Sequence, residues 1–250
     1  MSCARWTPGA LSLAVMAVGG CGFDGVGTYE PASVSPASSA SAPAPDAGAP
    51  AASAFCDARD ATLLLCMRFE GAVADESAHA QRVDVGGAPA LSPGVRGNSV
   101  SMTASTTIHV PHGPVWSFTA LTVELWFRPR ALPGGGGRAG LADKDGTFGL
   151  FVHPDGSVAC TMNGNVGAPR AAEVNRWTHV ACTNGGGRVT IYVDGVEVAS
   201  ANAGAVSAGG ALTAIGGDSP SGDPFSGEID EVRLFSRARS REEIAAAAVK

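Results

Sequence analysis

Thr122-Val123-Glu124-Leu125-Trp126-Phe127-Arg128 sets Val123, Leu125 and Phe127 on one side of an extended backbone, with Thr122, Glu124, Trp126 and Arg128 on the other. Successive side chains of a strand point to opposite faces, so this period of two predicts a strand with one face in a core. The pattern recurs at 188–193, where Val189, Ile191 and Val193 oppose Arg188, Thr190 and Tyr192. Asp194-Gly195 then supplies a two-residue hairpin turn into a strand at 196–199. Working outward, strands are predicted at 62–69, 99–102, 107–110, 138–143, 148–152, 157–162, 178–183, 212–216 and 229–235. About eleven strands in one unit predict an all-β, two-sheet antiparallel sandwich in place of a small barrel. The helix signal is Ser240-Arg241-Glu242-Glu243, a capping box ahead of Ile244 and an Ala run, which predicts a short C-terminal helix.

Composition agrees. The 250 residues include 34 Gly and 16 Pro, with 45% apolar residues, and no apolar run approaches the ~18 residues that a membrane-spanning helix needs. A net charge of -6 offers no basic patch for phosphates, which argues against nucleic acid and other polyanions as partners.

The N-terminus reads as a leader. Arg5 precedes an uncharged stretch with its apolar centre at 11–18, the h-region of a signal peptide spanning residues 1–20. Val18-Gly19-Gly20-Cys21 resembles the bacterial lipobox, which implies cleavage before Cys21 and acylation of that cysteine; the alternative is an ordinary secretory leader. Each buried methylene contributes ~0.8 kcal/mol, so several acyl chains would anchor the chain to the cell envelope, with the outer membrane the expected location. Residues 21–55 follow as a tether, nearly all Pro, Ala or Ser from Pro31 to Ala54, a composition that cannot offset its ordering entropy by burial. The head domain is then 56–250.

Removing Cys3 with the leader and acylating Cys21 leaves Cys56, Cys66, Cys160 and Cys182. An even number in an exported chain predicts two disulfides, with three connectivities open. Cys160 and Cys182 each share a strand face with a Val two residues earlier, so adjacent strands would pair them and leave Cys56 with Cys66. Zinc ligation or free thiols are the weaker reading, because no CxxC or HxxxH spacing accompanies the cysteines.

Several segments, in order, resemble the laminin G-like jelly roll of the concanavalin A-like lectin and glucanase superfamily. They are Leu65-Cys66-Met67-Arg68-Phe69-Glu70-Gly71, then Phe118 to Pro129, Arg176-Trp177-Thr178-His179-Val180-Ala181, Tyr192-Val193-Asp194-Gly195, Ile215-Gly216-Gly217, and Gly227-Glu228-Ile229-Asp230-Glu231-Val232-Arg233. The resemblance implies a concanavalin A-like jelly-roll sandwich that binds sugar or protein at edge loops or on one sheet face, often beside calcium. Where many members carry Phe-Asp-Gly, this chain reads Ser101-Met102-Thr103-Ala104, one acidic residue fewer at the metal-bearing edge.

The resemblance also implies site residues. A structural calcium would sit against Asp230, with Glu70 and Asp75 as partners, since calcium takes ~6–8 oxygens. From strand alternation, Trp126 and Tyr192 lie on the polar faces of their strands and Trp177 shares a face with His179, where rings would offer stacking to a sugar; the resemblance implies the alternative, a Trp covered by loops as secondary core. Chemistry is weakly signalled. Glu228-Ile229-Asp230 resembles the Glu-x-Asp of laminarinase-type hydrolases, but the third carboxylate of that motif would fall at Arg233. Asp143-Lys144-Asp145-Gly146 starts like a calcium loop without its distal acids and reads as a hairpin turn; Gly217 to Gly222 reads as a polar loop, and His109 with His112 as a surface pair. The expected function is therefore a non-enzymatic, monomeric module for a glycan or cell-surface protein, touching lipid only through its N-terminal acyl chains. A purely structural or adhesion domain, or a glycoside hydrolase, is the alternative.

Overall fold

The computed structural model describes residues 55–250; the expected leader, Cys21 and the tether to residue 54 lie outside them. In chain order the strands are β1 (Leu63–Met67), β2 (Asp84–Gly86), β3 (Leu91–Pro93), β4 (Asn98–Met102), β5 (Thr107–Val110), β6 (Leu121–Pro129), β7 (Ala139–Lys144), β8 (Phe148–Val152), β9 (Val158–Thr161), β10 (Asn165–Ala168), β11 (Thr178–Gly185), β12 (Arg188–Val193), β13 (Val196–Asn202), β14 (Thr213–Ile215) and β15 (Gly227–Phe235), followed by the helix α1 (Arg241–Ala247). The sheet called A runs β13-β12-β11-β6-β15-β4-β3, with β1 also paired to β15; sheet B runs β10-β9-β8-β7-β14-β5-β2. Every pairing is antiparallel. The two-sheet sandwich with one short C-terminal helix is as the sequence predicts. β2, β3 and β10 were not anticipated, because each holds a single Val or Leu among Asp, Asn, Ser, Gly, Pro or Ala and so displays no alternation.

The core takes the inward set of each strand. Val123, Leu125 and Phe127 of β6 meet Val180 of β11, Ile191 of β12 and Leu150 of β8, all buried in one cluster. β6 and β15 are buried along nearly their whole length, which one buried face cannot explain. The outward face of sheet A is covered too. Thr122 Oγ1 accepts from the Arg239 amide and donates to the Arg237 carbonyl, strapping the C-terminal segment across the sheet. The strap delivers α1, whose Ile244 packs on Ala181 and Tyr192.

β15 changes parity midway. Asp230 lies opposite Trp126 and Arg233 opposite Glu124, so two residues of β15 bulge across one of β6. Glu231, with φ of 54°, is the bulged residue. Ile229, Val232 and Leu234 therefore all face the core, while Asp230 and Arg233 both face outward.

Both disulfides form, Cys56–Cys66 and Cys160–Cys182. The reason given for the second needs correcting. Cys160 lies on β9 of sheet B and Cys182 on β11 of sheet A, with Cα atoms 6.1 Å apart. The bond joins the two layers and not neighbouring strands.

Local signals hold at the ends. Ser240 caps α1 with Glu243 reaching back in the expected capping box. Asp194 and Gly195 have φ of 47° and 80°, as a tight hairpin turn of primed type demands. A Cβ on Gly195 would also stand 3.0 Å from Ala245, so the glycine lets α1 dock on the turn.

Lys144, at the end of β7, is fully buried. Its ammonium donates to the Ala211 carbonyl, lies 3.4 Å from His112 Nδ1 and stands 4.9 Å from the Trp116 ring centroid. Among the described residues no carboxylate pairs with it. Burial alone lowers its pKa from 10.5 to about 8. Between those values the unfolded chain binds the extra proton, so stability rises with pH across that window and is flat below it. Lys144→Met should abolish that rise and stabilise the domain at pH 7 by about 2 kcal/mol. Urea titrations of both proteins at several pH values check this, and parallel curves would refute it.

Candidate functional site

The residues expected to hold calcium do not converge. Asp230 is fully buried; its Oδ2 accepts from the Val95 and Arg96 amides at 2.8 and 3.4 Å and its Oδ1 from the Glu231 amide at 2.8 Å. Glu70 grips the same β3–β4 turn from the other side, accepting from the Asn98 amide at 3.3 Å. A Cβ on Gly97 would fall within 2.4 Å of the Glu70 carboxyl group, so a side chain there would displace it. Asp75 lies elsewhere, its two oxygens occupied by the amides of Cys66, Ser77 and Gln81 and the Ser77 hydroxyl. Among the described residues no three His, Cys, Asp or Glu side chains are grouped to hold an ion. Burial pushes the Asp230 carboxyl up to about 7 against those amides, so its environment supports a turn-capping carboxyl group.

The expected stacking aromatics are also not presented to a ligand. Trp126 is 1% exposed and its ring packs 5.3 Å from that of His179, which is itself buried. Burial, ahead of the nearby Arg233, drives the His179 pKa down to about 3. Tyr192 lies under Ile244 of α1. Trp177 is half-buried beneath the Arg128 guanidinium, 5.0 Å from its ring centroid. Strand alternation correctly put Trp126, His179 and Tyr192 on the outward face of sheet A, but α1 and its strap cover that face. The hydrolase-like pair is likewise engaged in structure, since Glu228 is held by Arg128 and Arg130.

A groove opens instead on the outward face of sheet B. β14 pairs with β7 so that Ala214 faces Asp143, and the loop that leaves β14 therefore folds over the end of β7. The Ser219 amide donates to Asp143 Oδ2 at 3.0 Å and to Asp218 Oδ1 at 2.9 Å. Arg138, just before β7, reaches the same loop, donating through Nε to Asp223 at 2.6 Å and through Nη2 to Asp218 at 3.0 Å. Its guanidinium carbon lies 3.8 Å over the centre of the Phe151 ring, a cation–π stack. Phe151 thus serves as the base on which a planar, half-exposed guanidinium is held.

The cavity between these groups measures about 370 Å³ and is also lined by Asp145, Thr147, Thr161 and Asn163. Its floor depends on Gly149, where a Cβ would come within 2.3 Å of the Phe151 ring, 2.9 Å of Thr161 Oγ1 and 3.0 Å of Asp143 Oδ1. Thr147 Oγ1 is buried without a hydrogen-bond partner among the described residues. Burial first, and then the adjacent Asp218 carboxyl group, hold the Asp143 carboxyl well above the usual range, against the Ser219 amide. The pair can therefore supply both an O–H donor and carboxylate acceptors. With the Arg138 fork, this is a set of polar groups suited to an uncharged polyhydroxylated ligand.

Sequence reasoning singled out Asp143-Lys144-Asp145-Gly146 and Gly217 to Gly222, reading each alone as turn and loop. The second is a loop, and the first is the end of β7, Asp143 and Lys144, running into a hairpin turn at 145–147. Their juxtaposition comes from the β14–β7 pairing, which no local pattern encodes.

A family model described as the concanavalin A-like lectin/glucanases superfamily matches residues 102–245. Among solved structures, domain 4 of AbnA, a GH43 extracellular arabinanase from Geobacillus stearothermophilus in complex with arabinotriose, superposes with a TM-score of 0.60 at 22% identity, covering 75% of this chain and 98% of that one. The binding domain of botulinum neurotoxin DC in complex with rat synaptotagmin II gives 0.60 at 13% identity over 75% of this chain and 51% of that one. The same toxin domain in complex with SialylT gives 0.59 at 13%, covering 75% and 50%, so this chain spans about half the length of the toxin domains. At such identities the likeness is one of fold. No curated protein matches the chain.

Proposed function

The chain belongs to the concanavalin A-like lectin/glucanase superfamily, and we propose that it is a non-catalytic binding module that holds a carbohydrate in the sheet B groove. The observation that carries this reading is the groove's lining: an exposed guanidinium plane fixed on Phe151, flanked by Asp143, Asp145, Asp218, Thr161 and Asn163. Sugars present hydroxyls that both donate and accept, and paired polar groups reject analogues lacking them. The solved arabinanase domain in complex with arabinotriose supports the carbohydrate class. In this reading the acylated N-terminus and its tether present the head at the cell envelope.

A glycan array probed with the whole chain, with and without calcium, tests the proposal. We expect binding to a restricted set of neutral glycans, with Asp145→Ala, an exposed position, weakening it at least fivefold and Arg138→Gln more. Absence of binding by the folded protein in both conditions would leave the structural or adhesion reading standing. Release of reducing sugar from a bound glycan, abolished by Asp143→Asn, would replace the module with a hydrolase.

A further inference from the structure

The outward face of sheet A carries a second cavity, remote in chemistry from the sheet B groove and argued independently of it. It measures about 410 Å³ and lies between α1 and the segment around Phe55, walled by Arg96, Arg233, Arg239, Phe55 and the helix residues Glu243, Ala246 and Ala247. Three guanidinium groups thus face one space. They come from distant parts of the chain: Arg96 from the β3–β4 turn, Arg233 from the strand that the bulge at Glu231 turns outward, and Arg239 from the strap. The Cys56–Cys66 bond ties the Phe55 segment to β1, and the Phe55 ring lies 3.8 Å beneath the Arg233 guanidinium carbon.

The neighbouring carboxylates do not use up these cations. Glu231 is paired with Arg96 at 2.8 Å, and both oxygens of Glu243 are taken by Arg237, with Arg239 Nε 3.9 Å from one of them, beyond hydrogen-bond reach. Arg233 and Arg239 share one oxygen of Glu124. Their side chains are 9% and 10% exposed, yet the Nε–H of each is buried without a partner among the described residues, as is Glu124 Oε2. Unmet N–H donors on buried guanidinium groups favour a carboxylate, whose geometry matches the guanidinium fork. Glu243, the carboxylate that lines the cavity, keeps an acceptor lone pair for a ligand hydroxyl. Phe55 and the two alanine methyls complete the wall with an apolar surface for C–H groups.

We propose that this cavity binds a hydroxylated carboxylate, a sugar acid, with its carboxylate on Arg239 and Arg233, its rim held by Arg96, and a hydroxyl directed to Glu243. Two sources share that chemistry, the free acid and a uronic acid residue at the end of a glycan. Titrating the whole chain with D-glucuronate, methyl β-D-glucuronide and D-glucose at constant ionic strength, while following arginine Nε–Hε signals by NMR, tests the site. Saturable shifts of the Arg233 and Arg239 signals are expected with glucuronate and not with glucose. Equal shifts with the methyl glycoside assign the site to a glycan terminus, and shifts with glucuronate alone assign it to the free acid. Arg96→Gln, outside the Glu124 network, should weaken binding at least fivefold. Ala246→Glu, at an exposed helix position, should abolish it by filling the cavity with a like charge. The proposal is overturned if glucuronate moves neither signal, if glucose moves them equally, or if both variants titrate as the parent does.

Discussion

Glu124→Ala should cost about 3–5 kcal/mol of folding stability, the largest effect expected of a single substitution outside the apolar core. Glu124 projects from the middle of β6 onto the outward face of sheet A, with its side chain 1% exposed. Its Oε1 accepts from Arg233 Nη2 at 2.6 Å and also from Arg239. Burial is the first cause that lowers the Arg233 pKa, and the charge of Glu124 is the first that opposes it. Removing the carboxylate would leave two guanidinium groups buried with only Glu231 and Glu243 nearby, both already paired. The same physics makes a second, opposite expectation. A buried ionic cluster is often matched or exceeded in stability by packed apolar residues of similar volume, so Glu124→Leu combined with Arg233→Met and Arg239→Met should recover most of the loss. Guanidinium chloride unfolding of the single and triple variants measures both; a single-variant loss under about 1 kcal/mol would show that the cluster is hydrated and contributes no more than an exposed pair.

This cluster also shows where the amino-acid sequence is informative and where it falls silent. The period of two in Thr122 to Arg128 correctly separates Val123, Leu125 and Phe127 from Glu124 and Trp126, because face is a local property of a strand. What covers a face is not local. The capping box at Ser240 announces α1, yet nothing in that segment states that α1 will lie over Ala181 and Tyr192, so Trp126, His179 and Tyr192 read as open to ligand when they are beneath it. The spacing Ile229, Val232, Leu234 did hold a clue: a step of three positions and then one of two between inward residues requires one extra residue, and Glu231 supplies it as a bulge. The groove was legible in fragments. Asp143 and Asp218 lie in segments that stand out in the sequence, but they meet only because β14 inserts between β5 and β7, a pairing across more than sixty residues of chain.

Breaking the Cys160–Cys182 bond should cost about 3 kcal/mol, because a bond closing a loop of this length restricts the unfolded chain by roughly that amount at 25 °C. The sequence separation is 22 residues, and the bond spans from β9 in one layer to β11 in the other. Backbone hydrogen bonds run mainly within sheets, so they hold β8 to β9 and β6 to β11 and cross the sandwich here at its rim, where the Gly204 amide past β13 donates to the Asn163 carbonyl past β9 at 3.1 Å. Between layers side-chain packing acts, together with the Asn184 side chain of β11, which donates to the Met162 carbonyl just past β9, and both cysteines are fully buried among Val158, Val180 and Val189. Replacement by alanine would mix the lost cross-link with the loss of two buried sulfur atoms. Reduction separates them, since the thiols still fill the space. In a Cys56→Ser, Cys66→Ser background, the oxidised and reduced forms should differ by about 3 kcal/mol in denaturant, with a steeper transition for the reduced form because its unfolded chain exposes more surface. Equal midpoints, with two free thiols counted after reduction, would mean that packing alone fixes the two layers and that the bond merely records their proximity. A loss confined to stability, with β9 and β11 amides still protected from exchange in the reduced protein, is the outcome that the buried valines on both sides lead us to expect.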